Sequence, residues 1–179
     1  MKHRYATLFI PIFGILFFAC ASPPVQQWRS TPEVLTTSDK SVNIKVAPFK
    51  ESHPYFVGFE LTIQNKTRAP IEIDWNQTQY LHNGKDLGVF IYAGIDPKTI
   101  KDAIPPDQIA PGATFSKQLF PLRTIAFLPR SEVPESGRLG FMPGLLPSGD
   151  NSMRLVMTQG DQTITHLLTV RFRADSASQ

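Results

Sequence analysis

From Ser41 onward, apolar and polar residues alternate with a period of two, the pattern of strands that bury one face. Val42, Ile44 and Val46 interleave with Asn43, Lys45 and Ala47. Tyr55, Val57, Phe59, Leu61 and Ile63 interleave with Gly58, Glu60, Thr62 and Gln64, and Ile71, Ile73 and Trp75 with Glu72, Asp74 and Asn76. Asn65 to Pro70 supplies the turn between the last two runs, because asparagine tolerates unusual backbone angles and proline suits a strand's first residue. Asn83-Gly84 predicts a hairpin between Gln79-Tyr80-Leu81 and Leu87 to Ile91, since a type I′ turn needs positive φ at both central positions. Gly160-Asp161 predicts a second hairpin, joining Met153 to Met157 with a long closing strand from Ile164 to Phe172.

Asp96 to Lys101 predicts one helical turn, with Asp96 as its cap and Pro97 at the first position. Phe115 to Leu119 predicts another strand. Leu122 to Ser148, broken by Pro129, Pro134, Pro143 and Pro147, predicts long loops with one or two short strands. No sustained helical period and no internal repeat follow. Some eight short strands in one domain make an all-β fold of two packed antiparallel sheets, spanning 41–173 with a disordered tail at 174–179.

The start of the chain follows other rules. Lys2, His3 and Arg4 precede an apolar stretch from Tyr5 to Phe18 and the small residues Ala19, Cys20 and Ala21, the three parts of a signal peptide over 1–19. That stretch is shorter than the roughly 20 residues a membrane helix needs, and Pro11 and Gly14 interrupt it. Ala21 to Lys40 is rich in Pro, Ser, Thr and Gln, which predicts a flexible tether over 20–40.

Phe17-Phe18-Ala19-Cys20 resembles a lipobox, the site at which bacterial lipoproteins are acylated on cysteine and cleaved just before it. The resemblance implies lipidation at Cys20, and a membrane partner through that lipid. Ala19-Cys20-Ala21 equally fits the A-x-A pattern of ordinary signal cleavage, which would release a soluble periplasmic form. Oxidising compartments favour paired cysteines, yet the chain has a single Cys, placed where the leader ends, and lipidation explains a lone thiol there. Ala21 and Ser22 replace the acidic residue that marks inner-membrane retention in such lipoproteins. The resemblance therefore implies the outer membrane of the cell envelope, facing the periplasm. The strand rhythm and the turn from Asn65-Lys66-Thr67 to Pro70-Ile71 also resemble the immunoglobulin-like domains of many bacterial lipoproteins. That implies a single immunoglobulin-like antiparallel β-sandwich, here without the paired cysteines of antibody domains.

Charge and chemistry then narrow the function. The chain carries a net charge of +3 and a pI near 9.1, but Lys2 and Arg4 belong to the leader, and +3 without them is +1. With no run of Lys or Arg, nucleic acid is excluded as a partner. His53, His82 and His166 have no ligand spacing, so neither a metal nor another cofactor is expected. No Gly-x-Ser-x-Gly or phosphate-cradling motif occurs, so no catalytic residue is assigned. His53 and His82 read as solvated. His166 lies on the apolar face of the closing strand, a core or rim histidine unless an acidic partner in a cleft makes it a base. Glu72 with Asp74 reads as a solvated strand face, and Trp75 as a core anchor.

Tyr80, Tyr92, Phe127 and Phe141 are candidates for an interaction surface. Among the loop residues, Phe127, Leu128, Phe141, Leu145 and Leu146 predict either satellite core or a grip on an apolar ligand. The resulting expectation is a lipid-anchored envelope protein with a non-enzymatic module for binding, assembly or structure, acting on another envelope protein. The alternatives are a soluble periplasmic enzyme or accessory subunit, and a carrier or chaperone for apolar ligands.

Overall fold

Alternation becomes strand along nearly the whole described chain. The computed structural model describes residues 26–95, 100, 103–127 and 141–176. The leader, Cys20 and all but Ile100 of the helical turn expected at Asp96 to Lys101 lie outside them.

The strands are β1 (Gln26–Thr31), β2 (Leu35–Ser38), β3 (Val42–Phe49), β4 (Gly58–Asn65), β5 (Ile71–Ile73), β6 (Gln79–His82) and β7 (Lys85–Ile91), followed by β8 (Asp107–Ile109), β9 (Thr114–Pro121), β10 (Ile125–Phe127), β11 (Phe141–Pro143), β12 (Gly149–Gln159) and β13 (Gln162–Ser176). The fold is all-β and every pairing is antiparallel.

One hydrogen-bonded path runs β1-β13-β12-β6-β7-β9-β4-β3-β2, with β5 on β12 and β8 on β5. The expected two layers are therefore one sheet folded over into a half-barrel. One layer holds β1, β13, β12, β6, β5 and β8; the other holds β9, β4, β3 and β2. The fold line is β7, whose Phe90 and Ile91 pair with Pro121 and Phe120.

Both hairpins form where turn chemistry places them. Asn83 and Gly84 have φ of 49° and 78°, as a type I′ turn requires, and His82 pairs with Lys85 around them. Gly160, at φ 58°, turns β12 into β13 so that Gln159 faces Gln162. Asn65 makes its turn rigid. Its buried amide donates to the carbonyls of Ala69 and Ile109, while its oxygen accepts from the backbone N–H and hydroxyl of Thr67.

Between the layers lies a core in which Trp75, Tyr80, Phe59, Phe90 and Phe172 are fully buried. Phe172 stacks on Phe56, with ring centres 4.5 Å apart. A smaller cluster, Val57, Ile91, Phe120 and Phe141, fills the end beneath the β10–β11 ribbon.

Two expectations change. The segment read as a tether is strand from Gln26: β1 pairs with the last residues of β13, and β2 with β3. Both are edge strands, so only Trp28, Ser30, Leu35 and Thr37 turn inward and little hydrophobic periodicity is left to read. The tail read as disordered from 174 is likewise strand as far as Ser176, because β1 supplies its partner.

Candidate functional site

At each side of the half-barrel, where the ladder does not join the layers directly, charged side chains bridge them. On the first side, β8 pairs with β5 and β9 with β4. In β9 the inward phase carries Phe115, Lys117 and Leu119, so a lysine stands in an apolar series, opposite Leu61. Its ammonium forms an ion pair with the Asp107 carboxylate of β8, and Trp75 Nε1 donates to the same oxygen, Oδ2, over 2.7 Å.

Aromatic rings close the rest of the box. Lys117 Nζ lies 3.6 Å from the ring centre of Tyr92, 5.4 Å from Phe115 and 5.5 Å from Trp75. A carboxylate with three ring faces is an arrangement that selects alkylammonium groups, and here the chain fills it with its own lysine. Burial, and then the charge of Asp107, raises the Tyr92 phenol above its ordinary range.

On the second side, β2 approaches the part of β13 that β1 leaves uncovered. Asp39, in the β2–β3 turn, accepts from the N–H groups of Ser41 and Val42 through Oδ1, at 2.6 and 2.8 Å. Its other oxygen lies 3.1 Å from His166 Nε2. That nitrogen is shielded from solvent and the angle falls outside hydrogen-bond geometry, so the contact is a charge attraction, present when the imidazole is protonated. Burial pushes the Asp39 carboxyl up, but the N–H donations from Val42 and Ser41, with the charges of His166 and Lys66, outweigh it and hold the group below the usual range. Nearer the other end of this side, Lys50 Nζ donates to the Trp28 carbonyl over 2.6 Å and sits 4.9 Å from the Phe56 ring centre.

His166 thus has the acidic neighbour an enzymatic reading asks for, yet its Nε2 is shielded from solvent, and Asp39 is the exposed member of the pair. Surface depressions occur elsewhere. One of about 430 Å³ lies along Ser148, Gly149 and the Arg171 to Asp175 end of β13, and one of about 170 Å³ lies between Glu72, Asp74, Asn76, Pro106 and Thr158. In the latter, Asp74 caps its own turn, accepting from the N–H groups of Asn76 and Gln77. Among the described residues no group of three or more His, Cys, Asp or Glu side chains is arranged to hold a metal ion.

The candidate surface residues do not come together. Tyr80 is fully buried and its hydroxyl donates to Asn151 Oδ1, because β6 places it on the core face beside β12. Phe141 is buried edge-on against Phe120. Tyr92 is half-buried in the lysine box, and the Phe127 side chain lies outside the described residues. Trp75 is the core anchor expected of it. His53 stacks on Tyr55, and His82 bonds the Ser148 carbonyl rather than standing free in solvent. In the loops, Leu146 is buried with Phe141, while Leu145 and Met142 are 44% and 54% exposed.

Sequence reasoning missed Asp39, Asp107 and Lys117. For Lys117 a signal existed, since it shares the phase of Phe115 and Leu119. Asp107 and Asp39 sit in short or turn segments with no phase to read. No family model, curated protein or solved structure matches the chain.

Proposed function

We propose that this chain is a lipid-anchored cell-envelope protein whose β domain is a non-enzymatic binding or assembly module, held close to a membrane through Cys20. The observation that carries the reading is the position of β1. Strand structure starts at Gln26, six residues after Cys20, so the intervening chain reaches roughly 20 Å at full extension and the domain rides near the bilayer. Two inward-facing side chains support the non-enzymatic part, because Lys117 and His166 each face a carboxylate from the other layer. Placement at the outer membrane, facing the periplasm, follows from Ala21 and Ser22 through the lipoprotein resemblance.

Cell fractionation and mass analysis of the mature N-terminus test this. The expected results are an acylated N-terminal Cys20 in the membrane fraction and a C20S variant released into the periplasmic fraction. An unacylated N-terminus at Ser22, or a C20S protein equally bound to membranes, would overturn it.

A further inference from the structure

We infer that the β10–β11 ribbon docks on the lipid surface that holds the chain, with Met142 and Leu145 as its apolar contacts and Arg123 as its cation. This inference rests on lipidation at Cys20.

The topology places the ribbon and Gln26, six residues after Cys20 in sequence, at one end of the half-barrel. Gln26, where the described chain begins, pairs with Ser176 at the end of β13. A few residues along, Phe172 of β13 pairs with Gly149 and stacks on Phe56, whose carbonyl accepts from the Leu146 N–H over 2.9 Å. Leu146 closes the segment that β11 begins. The turn at Gly160-Asp161 lies at the opposite end of the β12–β13 hairpin.

From Phe141 to Leu146 the segment is held at its two ends. Phe141 and Leu146 are buried, whereas Met142 and Leu145 are among the few large apolar side chains left exposed among the described residues. Gly144 sits so close to the Thr124 carbonyl that a Cβ there would lie 2.0 Å from its oxygen, so the backbone between Met142 and Leu145 packs against the residue that follows the exposed Arg123. Flexible apolar side chains next to an arginine suit the boundary of anionic headgroups and acyl chains. Two such side chains hold a free protein at a surface weakly. A link of roughly 20 Å turns docking into an intramolecular step and raises the effective concentration of lipid at the ribbon. The same short link argues for the bilayer as occupant over a second copy, since it keeps this end at the membrane.

The test uses the full lipidated protein reconstituted in phosphatidylcholine vesicles with about 25% phosphatidylglycerol, with and without brominated acyl chains. Single tryptophans are introduced as M142W, L145W and, near the opposite end, T163W. Each is read against the parent chain, whose Trp28 and Trp75 set the background. M142W and L145W are expected to be quenched by the bromolipid at least about twofold more than T163W. Equal quenching at both ends overturns the inference. So does blue-shifted M142W emission without quenching, which would mean that protein rather than lipid covers the ribbon. N-terminal mass analysis separates the failures: an unmodified Cys20 removes the anchor and the docking together, while a lipidated chain with unquenched M142W removes the docking alone.

Discussion

Replacing Lys117 by methionine keeps an unbranched stem among the rings of Tyr92, Phe115 and Trp75 and removes only the ammonium. The lost ion pair with Asp107 contributes about 1 kcal/mol after solvent screening, because the two side chains are 21% and 30% exposed. The Tyr92 ring, 3.6 Å from Nζ, adds about 1 kcal/mol. Phe115 and Trp75 lie farther off and add less. The abandoned Asp107 keeps its bond from Trp75 Nε1 and some access to water, so its residual penalty is about 0.5 kcal/mol. Contact of the thioether with the rings returns a similar amount. The net loss is about 2 kcal/mol, which at a urea m-value near 2 kcal/mol/M moves the midpoint down by about 1 M. Equilibrium urea unfolding of the protein measures it, with an unchanged m-value, and a K117M/D107N cycle should return a coupling of about 1 kcal/mol. A K117M midpoint within about 0.25 M of the parent, or a coupling near zero, would show that the ion pair and the rings do not brace the layers.

Two further outcomes follow from the buried and charged groups. Tyr80→Phe leaves the Asn151 oxygen buried without its donor and is expected to cost about 2 kcal/mol in urea unfolding. Burial raises the Tyr80 phenol, so its contribution is fully present below about pH 10 and is lost as pH rises towards the folded-state value; the Y80F chain lacks that alkaline loss. Asp39 has a folded pKa below its unfolded value near 3.9, so its contribution is present above that value and is lost as pH falls through the folded one. A D39N chain should therefore lose less urea midpoint than the parent between about pH 5 and pH 2, and identical acid profiles would remove Asp39 from the seam's energetics.

What could be read from sequence was local. Asn83-Gly84 and Gly160-Asp161 fixed both hairpins because the backbone angles they permit are a property of those residues alone. The strict alternation of Val42 to Val46 and of Phe59 to Ile63 survives because β3 and β4 each lie between two other strands and bury one complete face. Gln79 to His82 lacks such alternation, and the burial of Tyr80 depends on Asn151 arriving from a distant strand to satisfy its hydroxyl. The same applies to the bridges. Nothing local marks Asp107 as the partner of Lys117 or Asp39 as that of His166, since each pair forms only when the sheet folds over.

The pairing of β1 with the end of β13 also sets the order in which the domain is completed. The first of the described strands finds its ladder only on the last of them, so the loop closed by that pairing spans almost the entire described domain and its entropy must be met late. The hairpins and the β3–β4 pair form earlier from nearby residues. Of the described strands β1 is then the last to order, and it stays unpaired until the far end of β13 has been delivered.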